Sequence, residues 1–312
     1  MRIFLAGATG AIGRPLVARL LAEGHTVVGT TRDARRAEDL RAQGAEPVVL
    51  DAFDADAVRR AVADAEPEVL IHQLTALPHK PGRRAVGEGA RLTGRLRRET
   101  VPAFLDAARA AGARRAIVQS IAFVTRPDGR PVHDEDAPLY LDAPPQMRTI
   151  VEPVRDMEAS VMDRAGDGFD ALVLRYGFFY GPGTWHAPGG PMFELVRRRR
   201  LPMIGDGAGR WSFVHIDDAA EATVLALQHG RSGVYNICDD DPVPMSQWLP
   251  ELASLLGAKP PRRVPAWAAR LLAGDAVVHY ATRLPGNANG RAKQALGWRP
   301  RDRRTGFAEV AN

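Results

Sequence analysis

The stretch Arg2-Ile3-Phe4-Leu5-Ala6-Gly7-Ala8-Thr9-Gly10-Ala11-Ile12-Gly13 decides the fold of this 312-residue chain. A short apolar run ends in three glycines spaced over seven residues, and Pro15–Glu23 then reads as a helix. Strand, glycine loop and helix in this order are the context in which such a loop carries information. Backbone approaches a pyrophosphate closely only where side chains are absent, and the helix start supplies unpaired N–H groups and a positive dipole end. Gly7, Thr9, Gly10, Ala11, Ile12 and Gly13 are therefore the expected phosphate cradle of a dinucleotide.

Outward from this loop, β-branched runs alternate with helical segments. Strands are expected at Arg2–Ala6, Thr26–Thr30, Pro47–Leu50, Val69–Leu74, Arg115–Gln119, Ala171–Arg175 and Gly233–Ile237. Helices are expected at Pro15–Glu23, Ala34–Gln43, Ala55–Ala65 and Thr100–Ala111. Gly24, Gly44 and Gly112 stand where these helices need left-handed caps. The alternation predicts an α/β fold with a doubly wound parallel sheet. Cofactor choice is read at the end of the second strand, Val27-Val28-Gly29-Thr30-Thr31-Arg32-Asp33. Arg32 suits the 2′-phosphate of NADP, while Asp33 keeps NAD open.

Composition excludes other classes. The chain is 45% hydrophobic and 25% charged, which fits a globular protein with a sizeable core. The net charge of +5 raises the question of nucleic acid, yet the densest basic run, Arg197 to Arg200, closes a helix and has no interleaved aromatics. No stretch approaches the ~18 apolar residues of a membrane span, and the N-terminus runs straight into glycines, unlike a signal peptide. Cys238 is the one cysteine, which fits a reducing cytoplasm. No His, Cys, Asp and Glu cluster has metal-ligand spacing, so no metal is expected. The expected partner is a small-molecule substrate, without nucleic acid or membrane; a homodimer stays open.

The middle of the chain is irregular. Residues 126–146 hold five prolines and several acids, and residues 181–191 form a second Gly- and Pro-rich loop. A sheet domain over 1–180, with 212–238 returning to it, is expected beside a smaller C-terminal lobe formed by 181–211 and 239–312. In that lobe Trp185, Trp211, Phe179, Met192 and Phe193 offer an apolar pocket, with His186 and Arg210 as polar contacts. Trp248 and Trp298 read as core of the lobe, and Asp217 with Asp218 as caps of the helix that follows.

Several segments together carry a family resemblance. They are the Gly7–Gly13 loop, Asp51, Leu174-Arg175-Tyr176-Gly177-Phe178-Phe179-Tyr180-Gly181-Pro182-Gly183, Ser212-Phe213-Val214-His215-Ile216-Asp217-Asp218, Val234-Tyr235-Asn236-Ile237 and Ala295-Leu296-Gly297-Trp298-Arg299-Pro300. The chain resembles extended or atypical short-chain dehydrogenase/reductases of the NAD-dependent epimerase/dehydratase type, from residue 3 to about 300. The resemblance implies a Rossmann-type sheet and a C-terminal substrate lobe. It places Gly7, Gly10 and Ile12 on the pyrophosphate, Arg32 on the adenosine phosphate, and Asp51 with Ala52 on the adenine. Leu74, Thr75 and Ala76 would run along the dinucleotide, and Tyr176, Gly177 and Phe178 would flank the nicotinamide. Arg210 lies where nucleotide-sugar relatives bind an anionic group.

The family's redox chemistry rests on a Tyr, a Lys four residues later and a Ser or Thr that orients the reacting oxygen. The tyrosines here are Tyr140, Tyr176, Tyr180, Tyr235 and Tyr280, followed four residues on by Pro144, Tyr180, Thr184, Asp239 and Leu284. No Tyr-x-x-x-Lys exists. Among the 42 Lys and Arg only Lys80, Lys259 and Lys293 are lysine, so no realignment restores the pair. Aligned on Glu158, Ile150 takes the Tyr place and Val154 the Lys place, with Pro153 between them. The Ser/Thr place falls on Ile121, with Ser120 one residue away.

Three readings follow. The working one is an NADP(H)-dependent oxidoreductase acting on a small, fairly apolar ketone, imine or sugar-like metabolite. Its substitute acid would come from Tyr140, His186, Ser120, His133 or Tyr180. The second is a non-redox isomerase, cyclase or dehydratase that keeps its cofactor. The third is an NADP-sensing binding protein.

Overall fold

The computed structural model describes residues 1–78 and 82–311, so Lys80 lies outside the described residues. Seven parallel strands form the central sheet: Arg2–Ala6 (β1), Thr26–Thr31 (β2), Glu46–Val49 (β3), Val69–His72 (β4), Arg115–Ile121 (β5), Asp170–Tyr176 (β6) and Gly233–Ile237 (β7). Their spatial order is β7-β6-β5-β4-β1-β2-β3. Strand order reverses between β1 and β4, and a doubly wound sheet opens its ligand crevice at the carboxyl ends of such a pair.

Side chains of a strand alternate between faces, and β1 shows what that does. Ile3 and Leu5 pack with Leu16, Val17 and Leu20 of α1 (Gly13–Ala22), whereas Phe4 and Ala6 pack on the other face with Val58, Val62, Phe104 and Leu105. The helices over that second face are α3 (Ala55–Ala65), α5 (Val101–Ala110) and α6 (Pro145–Met162); α2 (Ala34–Ala42) joins β2 to β3. Burial on both faces explains why the strands read as continuous apolar runs. Gly24, Gly44 and Gly112 have φ of +78°, +97° and +84°, the left-handed values expected of them.

Four differences from the sequence reading stand out. Arg83–Arg95 is a helix (α4) that runs through a π-helical turn, Leu96–Thr100, into α5. Its Gly87, Gly89 and Gly94 argue against a helix by propensity. Packing overrides them: a Cβ on Gly94 would lie 3.0 Å from Pro153 of α6, and one on Gly89 2.7 Å from the Ala76 carbonyl oxygen. Within the Pro-rich segment, Val132–His133 makes a short parallel pairing with Gly286–Asn287. Asp217 and Asp218 do not cap their helix; the His215 imidazole accepts from the Asp217 N–H, and Asp218 is buried against Arg301 at 2.8 Å. Trp298 packs against the sheet beside Leu172 and Leu296, not in the lobe. Trp248 does lie in the C-terminal core, with Phe193, Phe213 and Phe307.

Candidate active site

The glycine loop follows β1 and enters α1 directly. Gly7 has φ +93°, a conformation L side chains rarely adopt, and donates its N–H to Thr30 Oγ1 at 3.1 Å. Gly10 donates to the Gly7 carbonyl at 3.0 Å. A side chain on Gly13 would strike the Ala8 carbonyl at 2.6 Å, so the loop closes only with glycine there. No side chain caps the start of α1; Arg14 and Leu16 donate to the Gly10 and Ile12 carbonyls at 3.2 Å, and Pro15 brings no N–H. Thr9 is half-buried, Gly10 and Ala11 are exposed, and Ile12 is buried beneath them. This geometry fits a dinucleotide pyrophosphate.

Around it stand the remaining cofactor candidates. Arg32 is exposed at the end of β2, and the Asp33 carboxylate accepts from the Arg35 N–H at 2.9 Å as the cap of α2. Asp51 is exposed and accepts from the Phe53 N–H at 3.1 Å, with Ala52 packed on the sheet. Leu74, Thr75 and Ala76 are half-buried after β4, and the Ala76 N–H donates to Thr93 Oγ1 at 3.0 Å, which ties this loop to α4.

Where the family's proton relay would stand, the site is apolar. Ile150, Val154 and Ile121 pack together with Val124, Val151, Leu139 and Tyr140. Ser120 is fully buried and donates to Glu158 at 2.7 Å. Glu158 in turn holds the buried Arg175 through two contacts of 2.6 and 2.8 Å. The Ser120 hydroxyl is thus turned into this ionic cluster behind the sheet.

The other proposed acids are placed as follows. His133 is buried, with Nδ1 on Thr125 Oγ1 at 3.0 Å and Nε2 on Asp128 at 2.9 Å, so both ring nitrogens are engaged within its own loop. His186 is buried among Trp211, Phe213 and Trp248, with Nδ1 on the Phe179 carbonyl; burial pushes its pKa down to about 4. Tyr180 is fully buried, stacked on Phe307 and edge-on to His215, and its hydroxyl has no partner among the described residues. Tyr140 is half-buried with its ring centroid 5.3 Å from that of His279.

Tyr176 is also core. Its hydroxyl bonds Thr223 at 2.6 Å and Gln73 at 3.1 Å, and burial raises its pKa to about 12. Gly177 is glycine for space, since a Cβ there would meet the Ser212 carbonyl. Phe178 lies between two rings, Phe123 at 4.1 Å and Trp211 at 4.0 Å, so both its faces are covered and only its edge is offered. Tyr280 stands edge-on to Phe123 and Phe178. Half-buried Trp185 donates to the Pro78 carbonyl at 3.2 Å, and half-buried Met192 lies next to fully buried Phe193. Arg210, half-buried, donates to the Pro242 carbonyl at 3.0 Å. Phe179 packs toward the sheet against Tyr176. Half-buried Phe123, Trp211 and Tyr280 complete this cluster, and of them only Trp211 was legible in advance.

Sequence reasoning also missed Arg97. It lies in the π-helical turn, 7% exposed, and makes no hydrogen bond or ion pair among the described residues. Burial lowers its pKa to about 10, so it remains protonated at neutral pH.

Comparison with known proteins agrees with this geometry. Residues 3–238 match the model of the NAD dependent epimerase/dehydratase family. The chain is 48% identical over 301 residues to a 3-diazoavenalumate denitrifying reductase of a Streptomyces species, covering 96% of both chains. It is 30% identical over 265 residues to a 4-hydroxy-2-methyl-3-oxo-4-farnesyl-3,4-dihydroquinoline-1-oxide ketoreductase of Stigmatella aurantiaca, covering 83% of this chain and 74% of that one. In fold it is similar to the UDP-glucose 4-epimerase of Thermotoga maritima, with a TM-score of 0.79 at 20% identity, covering 100% of this chain and 97% of that one. No helix among the described residues is long and apolar enough to cross a membrane. With its glycine cradle, its seven-stranded parallel sheet and this match over most of its length, the chain belongs to the NAD dependent epimerase/dehydratase family and is an enzyme of the short-chain dehydrogenase/reductase type.

Proposed function

We propose that the enzyme is an NADPH-linked reductase that directs hydride onto a small, flat, conjugated electrophile whose reduction needs no proton from the protein. The observation that carries this reading is the apolar cluster of Ile121, Ile150 and Val154 beside an intact cofactor cradle. A ketone or imine takes up a hydride and a proton, and the Tyr–Lys pair exists to handle that proton. An aryl diazonium takes up hydride alone. The C–N bond breaks, N2 leaves, a C–H bond forms, and the two electrons come from the reduced nicotinamide. The diazo substrate in the name of the Streptomyces relative belongs to this class, and that name also ends as a carboxylate does.

With the pyrophosphate of the dinucleotide held at the glycine loop, its reduced nicotinamide would supply the hydride. The protein's part is to cradle the pyrophosphate on Gly7, Gly10 and Ile12 and to align the adenosine along Asp51 and Ala52. Leu74, Thr75 and Ala76 would run along the dinucleotide. NADP over NAD is supported by the division of labour after β2: the Asp33 carboxylate is occupied in capping α2, while Arg32 has no side-chain partner among the described residues. Phe123, Trp211 and Tyr280 present rings to a flat substrate, with Trp185, Met192 and Arg210 at its margin and the lobe of 181–211 and 239–312 closing over it. Water is thereby kept from a reactive electrophile. The reaction is assigned to the cytoplasm, where NADPH is kept reduced. A second reading, carbonyl reduction, has one supporting feature: Tyr140 is half-buried beside His279 and carries the only proposed acid hydroxyl left both uncommitted and reachable.

The test is transfer of deuterium from NADPH labelled at the nicotinamide C4 to an aryl diazonium carboxylate. Deuterium in the arene, release of N2 and a rate flat with pH are expected. A product formed with the NADPH absorbance unchanged overturns the redox reading. In the same assay Arg32→Glu should weaken NADPH roughly ten- to hundredfold and NADH little; equal loss removes the NADP assignment.

A further inference from the structure

Arg97 is the side chain that the fold leaves unexplained. Its neighbours on the chain are ordinary surface residues: Arg95 pairs with Glu99 at 2.7 Å, and Arg98 with Asp156 at 2.6 Å. Arg97 alone points inward. Its surroundings are given by Thr93, one turn before it, and by Thr100 at the end of the π-helical turn. Thr93 bonds the Ala76 N–H, and Thr100 bonds the His72 ring at 3.0 Å, so both meet the carboxyl end of β4. Arg97 lies between them in the chain, and its charge reaches the His72 ring at the carboxyl end of β4. Its charge is also felt by Glu158 and by Tyr280, a half-buried ring of the aromatic cluster.

Glu158 does not neutralise it. That carboxylate is already taken by Arg175 on both oxygens and by Ser120. A guanidinium is never deprotonated to escape burial at neutral pH, and burying it alone is costly. Such a group is retained where an anion completes it, and the planar fork of a guanidinium matches a carboxylate through two parallel hydrogen bonds. The π-helical turn adds a second sign, because single π-turns inside α-helices concentrate at functional sites.

We propose that Arg97 is the anion anchor of the substrate site: its guanidinium receives the substrate's carboxylate while the conjugated body lies against Phe123, Trp211 and Tyr280. The anchor turns the electrophilic end of the molecule toward the cofactor and selects acids over their neutral counterparts. The inference deepens the reductase reading and takes from it the nature of the electrophile, but the preference for a carboxylate stands on Arg97 itself.

The experiment titrates the NADP-saturated enzyme with 4-hydroxycinnamate and with 4-hydroxycinnamamide, following tryptophan emission. The wild type should bind the acid roughly tenfold or more tightly than the amide. Arg97→Met should lose that preference through weaker binding of the acid alone, and Arg97→Lys, which keeps a charge without the fork, should retain part of it. NADPH affinity should be unchanged in both variants. The proposal is overturned if the wild type binds acid and amide alike, if Arg97→Met keeps the preference, or if it loses NADPH instead, which would assign Arg97 to the cofactor. Should Arg97→Met fail to fold, the acid–amide comparison on the wild type and on Arg97→Lys decides. A carboxylate preference without hydride transfer to any electrophile sinks the reductase reading and leaves the anchor standing.

Discussion

Arg175 and Arg97 are both buried arginines, 4% and 7% exposed, and the charge of one carboxylate, Glu158, reaches both. Arg175, on β6, is matched by Glu158 through two short contacts and also donates to the Glu135 carbonyl at 3.2 Å. Arg97, in the π-helical turn before α5, sees the same carboxylate only at long range. The first arrangement locks α6 onto the sheet and is complete within the chain. The second has no hydrogen-bond or ion-pair partner among the described residues. Among the described residues, a difference in neutralisation, not in burial, separates the structural Arg175 from Arg97, the proposed anchor.

The largest way to break this comparison is to remove the shared carboxylate. Glu158→Gln leaves Arg175 as buried and unmatched as Arg97, and removing one partner of a buried pair costs about 3–5 kcal/mol. The denaturation midpoint should fall accordingly; a shift below about 1 kcal/mol would mean that Arg175 finds other compensation and that the two arginines differ less than their contacts suggest.

Acid should come next. His72, His186 and His279 are buried and neutral, each with its pKa pushed down to about 4 by loss of solvent, and the Arg97 charge pushes His72 in the same direction. The unfolded chain protonates these rings near their ordinary value of about 6.5. Between that value and about 4 the unfolded state binds more protons, so stability falls as pH falls, on the order of 1 kcal/mol per pH unit for each ring. Urea midpoints measured from neutrality down to pH 5 check the slope. A flat profile would mean that the rings are protonated in the fold.

The smallest effect has the opposite sign. Arg97→Met replaces a charge that has no counter-ion among the described residues by apolar volume, and the melting midpoint should hold or rise by about 1 kcal/mol of stability. A loss as large as that of Glu158→Gln would show that Arg97 is structurally matched after all, which would close the gap between the two residues.

Much of the sheet was legible because its signals are local. β1, β7 and α3 were placed to the residue, each bounded by glycine, acid or proline punctuation that does not depend on the rest of the fold. The cradle was legible for the same reason, since the left-handed φ of Gly7 and the closeness of Gly13 to Ala8 are consequences of a tight strand-to-helix turn. α4 was not legible. Its glycines lower helix propensity, and only Pro153 and the Ala76 loop, distant in sequence, make their absence of side chains favourable.

The substrate side resisted reading for a related reason. Arg95, Arg97 and Arg98 look alike in sequence, and only the helical phase through the π-turn and the position of β4 turn one of them inward. Phe123, Phe178, Trp211 and Tyr280 come from four separate segments, and their stacking exists only once β5, the Phe178–Tyr180 strand and the C-terminal helices have met. Tyr180, His133 and Ser120 looked like free polar groups on loops or a strand end; packing and hydrogen bonds commit the last two and enclose the first.

By itself the sequence determined a dinucleotide-binding parallel sheet and the loss of the Tyr–Lys relay, because both follow from residue types at short, fixed spacing. Tertiary structure alone decided which polar groups are satisfied and which buried guanidinium has no counter-charge among the described residues. Desolvation and neutralisation depend on every neighbour in space, and those neighbours are set by the whole fold.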